Sequence, residues 1–84
     1  MKYVEEFTQY KQDLAKAWVV TCEYQKMGTK TTVCLIKLTN GFEIVGTSAC
    51  VDPKDFNKEL GEKFALERAL EKLGELDGFY KQCK

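Results

Sequence analysis

Two short segments constrain the fold of this chain more than any other feature. Asn40-Gly41 lies between two runs rich in β-branched and apolar residues. Asn-Gly in that setting is the strongest local signal for a β-hairpin, because both residues accept the positive φ of a tight turn. Further along, Asp52 precedes Pro53, which is typical of a helix start, since the carboxylate caps free N–H groups and proline has no donor to lose there. The sequence therefore predicts a hairpin that leads directly into a helix.

Hydrophobic periodicity extends this prediction along the chain. Near the N-terminus, apolar residues recur at spacings of four and three, as on the buried face of an amphipathic helix: Tyr3, Phe7, Tyr10, Leu14 and Ala17. Two strand-like segments then meet at Met27-Gly28-Thr29, which predicts another hairpin. The predicted elements are a helix over about 2–17, strands over about 18–26, 30–39 and 42–50, and a helix over about 53–73 that ends at Gly74, followed by a short tail.

These elements predict the α+β class. With 84 residues there is room for one small domain and one modest core. We expect the order α-β-β-β-α, in which a three-stranded antiparallel meander is covered on one face by the two helices.

Strand register decides which side chains the helices cover. If both hairpin turns contain two residues, Met27 pairs with Lys30 and Thr39 pairs with Phe42. Alternation then assigns the following residues to the covered face: Trp18, Val20, Cys22, Tyr24, Val33, Leu35, Phe42 and Ile44. The opposite face receives a mixture of polar residues and an apolar stripe made of Val19, Cys34, Ile36, Leu38 and Val45.

An apolar stripe on an open sheet face needs an explanation. One explanation is a protein-binding surface, with the following residues as anchors and polar rim: Val19, Glu23, Ile36, Leu38, Glu43 and Val45. A second is that the C-terminal tail or the mate of a homodimer covers the stripe. A third is that one turn has three residues, because a slip of one residue exchanges the two faces. The sequence leaves all three open.

The second helix has two apolar rows. Phe56, Leu60 and Phe64 form one row, and a second row is turned well away from it: Leu66, Ala69, Leu70 and Leu73. Such a helix is expected to contact two surfaces, with Gly61 at a close approach between backbones.

Composition argues against catalysis. The chain contains no histidine, which removes the commonest general base and the usual relay of serine and cysteine hydrolases. Ser48 or Cys50 near the start of the second helix would be the candidate nucleophile, but neither has a base nearby in the sequence. We therefore expect a protein that is not an enzyme and that carries no cofactor.

The cysteines favour free thiols over a metal site. Cys22, Cys34, Cys50 and Cys83 are irregularly spaced and include no C-x-x-C pair, which disfavours a zinc site. In a reducing cytoplasm such residues act as small apolar groups. Whether any of them pair is left open.

Charge and hydropathy limit the partners. The 13 basic residues equal the 13 acidic residues, so no global field attracts a polyanion. The sequence has no apolar run of the length that spans a bilayer, about 18 residues, and no signal-peptide core. We expect the chain to stay in the cytoplasm, away from membranes.

Residues 39–79 contain a run of short motifs in a fixed order. The residues concerned are Asn40-Gly41-Phe42, Gly46, Ser48-Ala49-Cys50, Asp52-Pro53, Phe56, Glu59, Gly61, Ala65, Ala69, Lys72 and Leu76-Asp77-Gly78-Phe79. They resemble the pattern of a family of small tailed-bacteriophage accessory proteins of unknown function, which is Asn-Gly-Phe, Gly-x-Ser-Ala-Cys-x-Asp-Pro-x-x-Phe, Glu-x-Gly-x-x-x-Ala and a Leu-Glu-Gly-Tyr-like ending. The chain departs from the pattern at Asp55 and at Gly74, where the family often has Asn and Trp. The resemblance implies a phage origin but no chemistry.

Two functional hypotheses follow. The element order resembles a double-stranded RNA-binding domain, in which Lys54, Lys58 and Lys63 would contact phosphates, although acidic neighbours such as Asp55 and Glu59 cancel that charge. The favoured hypothesis follows from the phage resemblance. It is a non-enzymatic accessory protein that binds a host protein stoichiometrically in the host cytoplasm and inhibits or redirects it, for example as an inhibitor of a CRISPR effector.

Overall fold

The helices and strands follow the predicted order. The computed structural model of the protein describes residues 3–50, 54 and 57–83, with side chains up to residue 77. A short 3-10 helix, Val4–Glu6, is followed by helix α1, Gln9–Trp18, strands β1, Val19–Met27, β2, Thr31–Leu38, and β3, Glu43–Ala49, and helix α2, Lys58–Cys83. The strands form one antiparallel sheet in the order β1-β2-β3. The α+β prediction is confirmed, with helices packed on the sheet.

The N-terminal segment is not one continuous helix. Thr8 has extended backbone angles, φ −62° and ψ 156°, and separates the 3-10 helix from α1. Its hydroxyl accepts a hydrogen bond from the Lys11 N–H at 3.5 Å, as at a helix N-cap. The prediction of one helix from about residue 2 is therefore wrong, because the extended backbone at the capping Thr8 interrupts the helix although the apolar spacing continues through it.

Both hairpin loops contain three residues. Met27 pairs with Thr31 across the first loop. At the second loop the Leu38 N–H donates to the Phe42 carbonyl at 2.8 Å. Gly28 and Gly41 have positive φ values of 72° and 90°, which glycine adopts without steric cost. The second loop ends in its positive-φ glycine, as in the usual three-residue hairpin, whereas the first loop begins with its glycine. Asn40-Gly41 therefore predicted the hairpin correctly but not its length.

The longer loops invert the middle strand. The strand pairing in each hairpin is shifted by one residue from the pairing expected for a two-residue turn. The two shifts cancel between β1 and β3, so only β2 presents the opposite set of side chains to the helices. Cys34 and Ile36 are fully buried and Leu38 is 6% exposed, whereas Val33 and Leu35 are half-buried on the opposite face. The prediction that Ile36 and Leu38 are exposed is wrong for this reason.

The outer strands follow the prediction more closely. Cys22, Tyr24 and Ile44 are part of the core or pack against it, as predicted. Val20 and Phe42 were predicted to be covered but are 63% and 67% exposed. Val20 lies at an irregularity in the β1–β2 pairing, and Phe42 directly follows the second loop, so neither is held in the regular part of the sheet.

Helix α2 begins and ends later than predicted. The Asn57 side chain accepts a hydrogen bond from the Leu60 N–H at 3.1 Å and caps the helix start. The predicted cap, Asp52-Pro53, lies outside the described residues. The predicted stop at Gly74 is wrong, because α2 continues to Cys83. A Cβ at Gly74 would lie 3.3 Å from side-chain atoms of Tyr10 and Leu14, so this glycine lets α1 approach α2.

Gly46 brings the sheet and α2 into close contact. It is buried in β3, and a Cβ at this position would overlap the Ala65 carbonyl oxygen and the Ala69 backbone nitrogen. Ala65 and Ala69 are themselves fully buried. Three small residues therefore place the backbones of β3 and α2 against each other.

Polar contacts align α2 along the same strand. The Ser48 hydroxyl donates to the Gly61 carbonyl at 2.7 Å, at the residue predicted to mark a close approach. The Lys72 ammonium donates to the Val45 carbonyl at 2.7 Å. The row of α2 that contains Leu66 and Leu70 is buried, whereas Leu60 and Phe64 are each 47% exposed.

Replacing Gly46 by alanine tests this contact. We expect Gly46→Ala to lower the free energy of unfolding by about 3 kcal/mol or more, because the new methyl group meets backbone rather than a flexible side chain. Thr47→Ala changes the neighbouring exposed residue and is the control, with an expected change within about 0.5 kcal/mol. Chemical denaturation measures both variants, and equal stability of the two would contradict the contact.

Thr32 gives a second test of packing. Its side chain is 3% exposed on the helix-covered side of β2, and its hydroxyl has no hydrogen-bond partner among the described residues. A buried hydroxyl without a partner costs about 1–3 kcal/mol. We expect Thr32→Val, which keeps the shape and removes the hydroxyl, to stabilise the protein by about 1 kcal/mol. Thr31→Val on the opposite face is the matched control, and a destabilised Thr32→Val would mean that the hydroxyl has a partner.

Candidate functional site

The face of the sheet opposite the helices, called the outer face below, is built from four cross-strand rows. The first row joins Thr21, Lys37 and Glu43, the second joins Glu23, Leu35 and Val45, the third joins Gln25, Val33 and Thr47, and the fourth joins Met27, Thr31 and Ala49. Directly opposed residues on adjacent strands point to the same side and touch. The register therefore places three apolar side chains, those of Leu35, Val45 and Val33, in the two middle rows.

The outer face is partly open to solvent. Val45 is 42% exposed, and Glu23 and Glu43 are also exposed. The Lys37 ammonium lies 4.0 Å from the Glu43 carboxylate, with both side chains about half exposed, so this ion pair adds little stability. A shallow depression of about 520 Å³ crosses the face, lined by Glu23, Tyr24, Gln25, Val33, Leu35 and Val45. A surface on which exposed apolar side chains lie among polar ones suits contact with another protein.

The structure divides the residues predicted for protein binding. Glu23, Glu43 and Val45 lie on the outer face. Val19 is half-buried and packs against the core. Ile36 and Leu38 belong to the core itself, because the middle strand is inverted. Val33 and Leu35 take their places on the outer face.

The lysines proposed for nucleic-acid contact do not form one free basic patch. Lys54 and Lys58 are exposed. The Lys63 ammonium lies 3.2 Å from the Glu6 carboxylate and is therefore paired. Glu59 and Glu62 lie close to Lys58 in the first turns of α2, and their charge opposes the attraction of phosphate groups.

An apolar pocket lies beside the second hairpin loop. It has a volume of about 340 Å³ and is lined by Trp18, Leu38, Asn40, Phe42, Leu73, Leu76 and Asp77. Sequence reasoning missed this pocket, since a two-residue turn would have put Phe42 in the core. The run Asn40-Gly41-Phe42 was the available signal, but it gives neither the loop length nor the direction of the ring.

Two thiols meet between β1 and β2. The Sγ atoms of Cys22 and Cys34 lie 3.4 Å apart, and both residues are free thiols. Their positions are diagonal, since Cys22 pairs with Ile36 and Cys34 pairs with Tyr24. The spacing of 12 residues gave no hint of this contact, because it depends on the exact register of the first hairpin.

The pKa values of the two thiols are shifted in opposite directions. A hydrogen bond from the Cys34 S–H, with a smaller contribution from the Tyr24 hydroxyl, lowers the pKa of Cys22 to about 7, although burial opposes this shift. The same hydrogen bond to Cys22, together with burial, raises the pKa of Cys34 far above its usual value. Burial and the Cys22 contact likewise raise the pKa of Tyr24. At neutral pH, Cys22 is the thiol that carries thiolate character.

No cluster of metal-ligating side chains occurs within the described part of the chain. Among these same residues, no helix is both long and apolar enough to cross a bilayer.

Comparison with known proteins gives the class of the protein and then its family. A model of the phage protein family of N4 Gp49 and phage Sf6 gene 66 matches residues 10–84, so the chain is a phage protein. It belongs to this family, and the match begins within α1 and includes both hairpins. No curated protein and no solved structure matches the chain.

Removing Cys34 tests the cause of the low Cys22 pKa. We expect Cys34→Ala to raise the pKa of Cys22 from about 7 toward the usual range, because the strongest donor to the thiolate is lost. Tyr24→Phe removes the lesser donor and should give a smaller rise. The pH dependence of alkylation at Cys22 measures both changes. An unchanged Cys22 pKa in Cys34→Ala would contradict the assigned hydrogen bond.

Proposed function

We propose that this phage protein is a non-enzymatic accessory protein that binds one host protein stoichiometrically and inhibits or redirects it. Its proposed role is host takeover or anti-defence, for example inhibition of a CRISPR effector. The proposed site of action is the host cytoplasm. Membership of a phage protein family supports the setting. The absence of histidine from the sequence argues against a common type of hydrolytic chemistry.

One observation carries the choice of surface. In one middle row of the outer face, Leu35 and Val45 lie side by side, with Glu23 opposite Leu35 on β1, and Val45 is 42% exposed. A soluble sheet with one covered face ordinarily presents polar side chains on the other. Burial of these apolar side chains against a partner removes them from water and stabilises the complex. The proposed contact residues are Glu23, Val33, Leu35, Glu43 and Val45.

Protein contact fits this surface better than nucleic-acid contact. The chain has no net charge, and the outer face carries Glu23 and the Lys37–Glu43 pair rather than a basic stripe. Nucleic-acid binding draws its affinity mainly from neutralised phosphates and weakens steeply with salt. Binding through an apolar centre is much less sensitive to salt.

The experiment combines capture from host lysate with paired variants. Tagged protein is incubated with host lysate with and without nuclease, and the captured protein is identified, purified and titrated for stoichiometry. We expect one host protein to be retained after nuclease treatment and to bind at one-to-one stoichiometry. We also expect Leu35→Asp and Val45→Asp each to weaken binding by tenfold or more, equivalent to about 1.4 kcal/mol or more.

Val20→Asp is the matched control. Val20 is also an exposed strand valine, 63% exposed, but it is not part of the outer face. Equal loss of binding in Val20→Asp and Val45→Asp would contradict the surface assignment. Loss of capture after nuclease treatment, together with loss in Lys54→Glu and Lys58→Glu, would replace the proposal with nucleic-acid binding. A homodimer that Val45→Asp converts to a monomer would show that a second copy covers the face.

A further inference from the structure

A cleft on the helix-covered side of β1 leads to the thiol pair. It has a volume of about 640 Å³ and lies between the N-terminal helices and β1, with a polar wall that includes Glu5, Asp13 and Lys16. Cys22 lines this cleft and is half-buried, whereas Cys34 is fully buried and does not line it. A small molecule in the cleft can therefore reach Cys22, with Cys34 directly behind it at 3.4 Å.

We propose that Cys22 and Cys34 form a dithiol site for low-molecular-mass disulfides, in which Cys22 is the attacking thiol and Cys34 the resolving thiol. This site is separate from the outer face, and the inference does not depend on the proposed function.

In the first step, the Cys22 thiolate attacks one sulfur of a small disulfide, RS–SR. A bond forms between Cys22 Sγ and that sulfur, the RS–SR bond breaks, and RS⁻ leaves into the cleft, where it takes a proton from water. The thiolate is the nucleophile in such exchange, and an attacking thiol whose pKa is near the ambient pH is optimal. The Cys22 pKa of about 7 meets this condition.

In the second step, Cys34 attacks Cys22 Sγ from the buried side. A bond forms between Cys34 Sγ and Cys22 Sγ, the Cys34 proton passes to water, and the bond between Cys22 and the R-group sulfur breaks. The second RS⁻ leaves into the cleft, where it takes up a proton to give RSH. Overall, two protein thiols are oxidised to one disulfide and RS–SR is reduced to two RSH. The hydrogen bond to Cys22, which is the main cause of the raised Cys34 pKa, disappears once Cys22 is in the mixed disulfide, so Cys34 becomes easier to ionise.

The resulting disulfide is expected to be easily reduced. Diagonal neighbours on antiparallel strands have Cα atoms about 7–8 Å apart, whereas disulfides usually join Cα atoms about 4.4–6.8 Å apart. Closing the bond therefore requires the two strands to shift. A strained disulfide has a more oxidising potential than a structural one and is the labile type.

Several titratable or charged groups lie near the pair and enter its pH dependence. These are Tyr24 on β1, Glu62 on α2, and Glu5, Asp13 and Lys16 across the cleft, together with Glu23, which follows Cys22 in the chain and lies on the outer face. Glu62 accepts a hydrogen bond from the Tyr3 hydroxyl at 2.7 Å. Both Glu62 and Glu23 raise the Cys22 pKa, but less than the Cys34 hydrogen bond lowers it.

Peptide mapping after reaction with oxidised glutathione tests the proposal on the full chain. Trypsin places Cys22 in peptide 17–26 and Cys34 in peptide 31–37. The folded protein is treated at several pH values, quenched with an alkylating agent, digested without reductant and read by mass spectrometry. We expect a glutathionyl group on peptide 17–26 at early times and peptides 17–26 and 31–37 joined at late times. The rate of the first step should rise as pH increases through about 7.

Three variants separate the two roles. Cys34→Ala should stop at the mixed disulfide on Cys22, Cys22→Ala should leave Cys34 unmodified, and Cys50→Ala should react as the parent protein does. Faster modification of Cys50 or Cys83 than of Cys22 would overturn the attacking role. A mixed disulfide on Cys22 that never gives way to the joined peptides would overturn the resolving role. If Cys34→Ala does not fold, the time course of the parent protein still decides between these outcomes.

Discussion

The contact between Gly46 and the Ala65–Ala69 turn of α2 is the constraint on which the rest of the fold depends. A domain of 84 residues has a limited core, and here the helix gains burial by approaching the strand at backbone distance. Leu66 and Leu70 of α2 belong to the same core cluster as Ile36 of β2, and all three are fully buried. The three-residue loops turn Ile36 toward this cluster and leave Val33 and Leu35 on the other side.

Features that depend on residues close together in the sequence were predicted correctly, whereas features that depend on loop length or tertiary contact were not. Asn40-Gly41 and the strand periodicity are local signals, and they gave the element order and the antiparallel meander correctly. Loop length is not encoded so locally, because a glycine with positive φ serves both a two-residue and a three-residue turn. The additional residue in each loop determines which side chains of β2 point toward the helices, and so Ile36 and Leu38 were assigned to the wrong side. Gly74 shows the same limit, since a glycine can mark a helix end or a close helix contact.

The candidate sites follow from this geometry. Three-residue loops give the outer face a short apolar row, Leu35 and Val45, in place of the longer stripe that the sequence suggested. The same register brings Cys22 and Cys34 into contact on the covered side. Glu23, Glu43 and Val45 could be found from the sequence because β1 and β3 keep their predicted faces. The thiol pair and the pocket beside Phe42 could not, since both depend on the loop conformations.

We expect the outer face, with Leu35 half-buried, Val45 exposed and Ile36 buried in the core, to be the surface that binds a host protein. Methyl-selective NMR of the protein, titrated with the captured host partner, tests this most directly because it reads each of these side chains separately. We expect the methyl signals of Val33, Leu35 and Val45 to shift or broaden on binding, while those of Ile36 and Leu70 stay unchanged. Perturbation centred on the methyl groups of Leu76 or of Leu60, with unchanged signals from Leu35 and Val45, would contradict this surface assignment.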